Sequence, residues 1–509
     1  MFAAVSSMGL NGMEGYPVSV ELDSSKGMPS FEIVGLPDAS VRESRDRVRS
    51  ALKNCGYDFP VTKMVANLAP ADIRKAGPLY DLPLLLALLL ASGQLEASLT
   101  GMAFIGELSL DGQVKPVNGV LPMALDARDQ GCRAFFVPAA NGAEASVVEE
   151  IAVYPVESVP QLIRHLRGEA AISPLAPYPF SSAREEGQPD FSEVMGQAEA
   201  KRAMEIAAAG GHNLLLIGPP GSGKSMLAKR LPSILPELSF EEAIQTTKIH
   251  SVAGLLTPER PLVTTRPFRA PHHTVSSVSL SGGGTVPRPG DVSLAHNGVL
   301  FLDELPEFNR TALEGLRQPI EDGVITISRV NGRVSYPCSV MLVCAMNPCP
   351  CGYFGLPGGR CSCSPKAVSQ YLSRISGPLL DRLDLHVEVA PVEFSQLRSN
   401  QPAESSAAIR ARVNAARLLQ RERYAGAGVS CNAQLTPALK QKYCQLTDSA
   451  VQMLGTAFDK LGLSARAYDR ILKVARTIAD LEGAELIDDL HVAEAVQYRS
   501  LDRKYWQGR

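Results

Sequence analysis

The sequence carries almost no net charge: 50 lysines and arginines against 53 aspartates and glutamates leave −3 over 509 residues. That excludes a protein that binds polyanions through bulk charge, so any nucleic-acid site must be a local basic patch or channel. Long apolar runs are also missing. The most apolar stretch, Leu82 to Ala91, has about half the ~20 residues of a membrane span, and no membrane partner is expected. The first residues, MFAAVSSMGLNGMEGY, lack a basic segment followed by a long apolar core, which argues against a secretory signal. There is no internal repeat or low-complexity tract. The composition excludes disordered, collagenous and disulfide-framework classes. Ten cysteines without a secretion signal point to a reducing compartment and a cytoplasmic location.

A chain of this length holds about three domains at ~150 residues each. Residues 1–170 alternate short strand-like runs (VSVEL, FEIVGL) with two helical stretches, SVRESRDRVRSALKNCG and the leucine run from Asp81 to Ser92. Asp111-Gly112, inside FIGELSLDGQVKPV, is a hairpin signal. Residues 171–190, rich in Pro, Ser and charge, read as a linker. Residues 191–391 follow an α/β pattern whose runs NLLLIG, GVLFLDE and VMLVCAMN are continuously apolar, as central parallel strands are. Residues 392–509 look mostly helical. The expected fold is therefore α/β and multidomain, with a helical C-terminal lid.

Gly218-Pro219-Pro220-Gly221-Ser222-Gly223-Lys224-Ser225 fits G-x-x-x-x-G-K-[ST] between an apolar strand and a helix, the context that gives this motif its meaning. Its glycines let backbone N–H groups turn toward phosphate oxygens. Lys224 is expected to reach the β- and γ-phosphates of ATP, and Ser225 to ligate Mg²⁺. Downstream, an apolar strand ends at Asp303 and Glu304. These fit a magnesium-holding carboxylate and the base that activates the attacking water. A third apolar strand ends at Asn347, where a polar side chain can position that water. Cys349, Cys351, Cys361 and Cys363 lie within 15 residues in PCPCGYFGLPGGRCSCS. Four thiolates at that density suit tetrahedral Zn²⁺, although C-x-C is less usual than C-x₂-C. An iron–sulfur cluster or plain reduced thiols also fit.

Three stretches, RPFRAPHHTVS (266–276), PRPGDVSLAHNGVLFLDELPEF (287–308) and GPLLDRLDLHVEV (377–389), make the middle of the chain resemble the magnesium-chelatase-like branch of AAA+ ATPases. With the segment before it, nearly the whole chain resembles the ComM/YifB-type family of that branch. The resemblance implies an arginine finger at Arg382, completing a neighbour's ATP site, and a sensor 2 arginine at Arg466. A ring, expected to be a homohexamer, follows from a finger that acts in trans. The resemblance also implies two pore-facing insertions. One is a hairpin from Val324 to Tyr336, turning at Asn331-Gly332, whose Arg329 and Arg333 would form a basic collar for DNA. From the residues alone, a solvated edge hairpin explains those charges equally well. The other insertion is expected from about Arg266 to Asp291, and it contains His272 and His273, read as structural or pore-loop residues.

Residues 1–170 resemble the proteolytic domain of Lon, an α+β fold. Where active Lon proteases carry a serine and a lysine, this chain has Leu79 and Leu121, which can neither attack a carbonyl nor accept a proton. Ser92 and Lys115 are off register for that task. The function the resemblance implies is an ATP-dependent helicase promoting branch migration during natural transformation, acting on single-stranded and branched DNA beside a recombinase. The alternative is a metal-insertion chaperone or protein-remodelling AAA+ ATPase without protease activity.

Overall fold

Strands with alternating burial build much of the first sheet, and strands buried on both faces form the centre of the second. The computed structural model describes residues 1–181, 189–284, 287–329, 332–355, 360–391 and 403–506, with backbone alone at Arg329 and Gly332. Contacts divide the chain into two units. The first comprises Met1–Ser181, Ser239–Thr264 and Ser328–Tyr336, and the second comprises Ser182–Leu238, Thr265–Ile327 and Pro337–Arg509.

In the first unit, β1 (Phe2–Asn11), β2 (Glu14–Ser25), β3 (Ser30–Val34), β4 (Lys63–Ala69), β5 (Met102–Phe104), β6 (Ala134–Pro138) and β7 (Ala152–Val156) form one mixed sheet in the order β3-β4-β2-β1-β5-β6-β7. The β1–β2 and β2–β4 pairs are antiparallel, and the others are parallel. Alternation in β4 buries Met64, Ala66 and Leu68 on one face. The helix Asp81–Ala91 is buried nearly all round, which explains a leucine run without amphipathic spacing. Its one acid, Asp81, is fully buried and held in a forked pair by Arg47 at 2.6 and 3.0 Å. The hairpin signalled by Asp111-Gly112 forms between Glu107–Leu108 and Val114–Lys115.

In the second unit, β8 (Leu214–Ile217), β9 (Phe268–Arg269), β10 (Val299–Leu302), β11 (Met341–Met346) and β12 (Leu385–Glu388) form a wholly parallel sheet in the order β9-β10-β11-β8-β12. Every residue of β8, β10 and β11 is buried, as expected of strands covered on both faces. The edge strand β9 corrects one expectation. The stretch from Arg266 to Asp291 is not wholly an insertion, because Phe268 and Arg269 pair with Val299 and Leu300. Phe268 stacks on Phe301 at 5.9 Å, and that apolar contact draws the segment into the sheet. The remainder holds a short helix, Ser277–Ser281, and a bridge between Gly283 and Arg288.

The C-terminal part of this unit is a helical bundle: Ser406–Arg423, Pro437–Tyr443, Asp448–Leu461, Ala465–Leu481, Asp489–Gln497 and Ser500–Tyr505. Ser405, Thr436, Thr447, Ser464 and Asp488 each cap a helix, accepting a backbone N–H from the first turn. Inside the bundle, the Asp480 carboxylate accepts hydrogen bonds from Arg423 at 2.7 and 3.0 Å, Arg476 at 3.0 Å and Asn432 at 2.8 Å. Arg476 is fully buried. Replacing Asp480 by alanine strands that cation, so unfolding by denaturant is expected to show a loss of about 3–5 kcal/mol. No described helix is long and apolar enough to cross a membrane.

Candidate nucleotide site and cysteine centre

The parallel register sets the ends of β8, β10 and β11 on one edge: Ile217 pairs with Met346, and Leu302 with Cys344. The loops leaving these three strands therefore meet in the crevice where open α/β sheets bind ligands. After β8 comes the glycine-rich loop. Its first residue, Gly218, donates a hydrogen bond to the Met346 carbonyl at 3.2 Å. Gly221 and Gly223 adopt left-handed backbone at φ +76° and +91°, closed to most side chains.

Lys224 is nearly buried, and its ammonium donates to the carbonyls of Gly218 and Pro219 at 2.8 Å each and to Asn347 Oδ1 at 3.2 Å. Burial pulls its pKa below the usual lysine range, with Asp303 opposing that shift. Ser225 Oγ donates to Asp303 Oδ2 at 2.6 Å. Ser222 Oγ is buried and has no hydrogen-bond partner among the described residues. A cation held by loop carbonyls, an orphan hydroxyl and turned-out glycines suit a triphosphate. A hydroxyl joined to a carboxylate suits Mg²⁺, which takes oxygen ligands.

Glu304 follows Asp303 in left-handed backbone, φ +53°, with its side chain largely exposed. Its Oε2 lies 3.2 Å from Nδ1 of His273. His273 thus stands four residues beyond the end of β9, beside the acid that follows β10. The sequence signal was the apolar residue Phe268 five positions earlier, which marks a strand ending near the histidines.

Arg382 and Arg466 are elsewhere. Both line an open cavity of about 210 Å³ with Glu321, Asp381, Lys440 and Arg470, and none of residues 218–225 lines it. Arg382 donates to the carbonyls of Arg317 at 2.9 Å and Pro378 at 2.8 Å, and pairs with Glu321. Arg466 reaches Asp381 at 3.3 Å. One buried group ties the segment of Arg382 to the helix of Arg466 and was missed in the sequence. Asp384, two residues after Arg382, pairs with Arg470, one helical turn after Arg466. It also accepts from the Asn213 backbone at 3.0 Å and lies 3.5 Å from His212. Burial pushes the Asp384 carboxyl pKa up, but Arg470 and His212 outweigh it and hold it far below the usual range.

The hairpin strands are Val324–Arg329 and Gly332–Pro337. Arg333 is exposed. The side chain of Arg329 and residues 330–331, with the turn asparagine, lie outside the described residues.

Cys349, Cys351, Cys361 and Cys363 bring their four sulfur atoms within 4.8 Å of one another. Cys349 lies 3.3 Å from Cys351 and 3.8 Å from Cys361, and Cys351 lies 3.6 Å from Cys361. Four ligands at ~2.3 Å from a tetrahedral zinc would stand ~3.8 Å apart, so the sulfurs fit such an ion. A backbone hydrogen bond at Tyr353 helps draw the Cys351 thiol down to about 6, while the neighbouring sulfurs push the Cys361 and Cys363 thiols up.

A glycine-rich loop, an acidic strand tip and a polar strand tip on one edge of a parallel sheet define a P-loop nucleotide-binding protein. Comparison with known proteins places it further. Family models match three segments: "Magnesium chelatase, subunit ChlI" at residues 190–397, "Subunit ChlI of Mg-chelatase" at 20–141, and "Magnesium chelatase, subunit ChlI C-terminal" at 403–499. The chain is 44% identical over 505 residues to the uncharacterized protein YifB of Salmonella typhimurium, covering 98% of this chain and 97% of that one. It is 44% identical over 509 residues to competence protein ComM of Haemophilus influenzae, covering 98% of each. A magnesium-chelatase 67 kDa subunit of Chlorobaculum parvum matches at 28% identity over 164 residues, 31% of this chain and 23% of that one. The chain belongs to the ComM/YifB-type family of magnesium-chelatase-like AAA+ proteins, and membership implies ATP-hydrolysing activity.

Proposed function

We propose that this chain is an ATP-driven ring motor, and that its cargo is single-stranded or branched DNA. The observation that carries the motor is the meeting of Lys224, Ser225, Asp303 and Asn347 on one sheet edge. In this reading Gly218–Ser225 cradle ATP, Ser225 and Asp303 hold Mg²⁺, and Glu304 takes the proton of the attacking water that Asn347 aims. Arg382 and Arg466 share a cavity apart from their own phosphate loop. Arg382 therefore acts on a neighbour's ATP, and six copies close the ring. Residues 1–170 form a Lon-like domain whose catalytic positions are filled by the buried Leu79 and Leu121, so it guides cargo and does not cleave it.

The DNA reading draws on the exposed Arg333 and on the relative named as a competence protein, aligned along nearly its full length. Branch migration beside a recombinase, in the cytoplasm, is the task such a motor serves. A second reading, protein remodelling or metal insertion without proteolysis, has the more direct support. All three matched family models are described as magnesium-chelatase subunits, and four cysteines gather where a metal ion could bind.

ATP turnover with and without branched DNA separates the two. DNA is expected to raise turnover, and Arg329→Ala/Arg333→Ala to abolish that rise. Each phosphate that the variant no longer neutralises should flatten the salt dependence of single-strand binding by ~0.7 in log–log slope. Turnover indifferent to DNA but raised by an unfolded protein or a metal-accepting partner would establish the second reading instead.

A further inference from the structure

The segment that carries the cysteines also forms one wall of the phosphate cradle. It touches the glycine-rich loop three times within seven residues. The Met346 carbonyl accepts from Gly218 N at 3.2 Å. Asn347 Oδ1 accepts from the Lys224 ammonium at 3.2 Å. Gly352 lies so close to Pro220 that a Cβ placed on it would be 2.4 Å from the proline Cδ. Gly352 also has left-handed backbone, φ +86°, so glycine is required there twice over.

Beyond these contacts the wall is held by packing, with the ring of Phe354 6.4 Å from that of Tyr505. Between Met346 and Pro365 the described residues form neither helix nor strand. One internal tie is the hydrogen bond from Gly352 N to the Cys349 carbonyl at 3.0 Å. Cys349 and Cys351 lie on the wall, whereas Cys361 and Cys363 precede the helix Pro365–Leu372, which Ser364 caps. An ion bound by all four sulfurs would tie the wall to that helix. Binding energy at such a site is ordering energy.

We propose that the four-cysteine centre is a metal-dependent strut of the ATP site: a tetrahedral ion holds Asn347 and the Gly352–Pro220 contact in place, and hydrolysis depends on that ion. This rests on reading the four thiolates as a metal centre. The ion stays outside the chemistry, and its effect passes through Asn347 and the phosphate loop.

The test uses the full chain, kept reduced. Metal content is measured first, and Co²⁺ is exchanged in to report the site through its thiolate charge-transfer and tetrahedral ligand-field bands. The ion is then stripped with a chelator, the chelator is removed, Mg²⁺ is restored, and ATP turnover and fluorescent-nucleotide binding are measured before and after Zn²⁺ is returned. A ~10- to 100-fold fall in turnover, the range seen when support around a site is lost, is expected on stripping, with recovery on return. Gly352→Ala is expected to keep the cobalt bands yet lower turnover, because the added methyl pushes Pro220 while leaving the ligands intact. If stripping unfolds the chain, Gly352→Ala decides alone. Bound metal whose removal leaves turnover unchanged, or Gly352→Ala with full turnover, overturns the strut and leaves the metal centre standing. No bound metal and no cobalt bands overturns the metal centre itself.

Discussion

Arg382→Ala is expected to lower ATP turnover by about 10³- to 10⁵-fold, the range associated with an arginine finger, while ATP binding survives. The guanidinium is fixed by the Arg317 and Pro378 carbonyls and by Glu321, in a cavity that none of residues 218–225 lines. In the ring-motor reading, a group so placed does not stabilise the phosphoryl group bound to its own chain. It is fit to do so for a neighbour, as a cation on charge that develops only in the transition state. Arg382→Lys should recover little, because a point charge does not reproduce the planar fork. The decisive measurement mixes two inactive proteins. Arg382→Ala subunits keep an intact phosphate loop, and Lys224→Ala subunits keep an intact finger. If the arginine acts across an interface, the mixture regains turnover that neither has alone. Persistent inactivity of assembled mixed rings would sink the trans reading. Fluorescent-nucleotide binding and a melting curve for Arg382→Ala check that removing the Glu321 pair has not simply unfolded the site.

The parts of this protein that were legible in its sequence are those whose cause is local. A buried parallel strand must be apolar throughout, so β8, β10 and β11 could be read from NLLLIG, GVLFLDE and VMLVCAMN. The phosphate loop needs glycines at fixed places, so it too announces itself. The helix capped by Ser405 and that capped by Ser464 show their starts in the same way. What escaped depends on residues far apart in the chain. Phe268 joins the sheet because Phe301 offers it a ring to stack on, and a two-residue strand leaves no periodicity to detect. The Asp384 cluster gathers His212, Asn213 and Arg470 from distant regions. Nothing near Asp384 in the sequence says that it will be buried, let alone that it anchors the helix carrying Arg466. The contact between Gly352 and Pro220 is of the same kind, since a glycine's reason for being glycine can lie more than a hundred residues away. Four cysteines in C-x-C pairs were visible, but a meeting of their sulfurs at zinc-like distances is a statement about the loop's path and not about sequence spacing.

Glu304→Gln is expected to separate binding from hydrolysis. The substitution keeps size and backbone cost: at φ +53° glutamine is strained no more than the glutamate it replaces. The Ser225–Asp303 pair at 2.6 Å and the Lys224 contacts are untouched, so ATP and Mg²⁺ should bind as before. An amide cannot take a proton from the attacking water, and loss of a general base costs about 10²- to 10⁴-fold. Single-turnover hydrolysis should therefore slow by that factor, with nucleotide affinity within a few-fold of the unaltered chain. Asp303→Asn should differ, weakening the Mg²⁺-dependent part of ATP binding as well, because it removes the carboxylate that Ser225 faces. If Glu304→Gln hydrolyses ATP at near the normal rate, the base lies elsewhere, and His273, with Nδ1 3.2 Å from the same carboxylate, is the next side chain to test. If hydrolysis stops while ATP stays bound, the variant holds the proposed ring in its loaded state. That state is the one in which a motor grips its cargo, so whatever the stalled ring retains, DNA or protein, is what the ATP cycle exists to move.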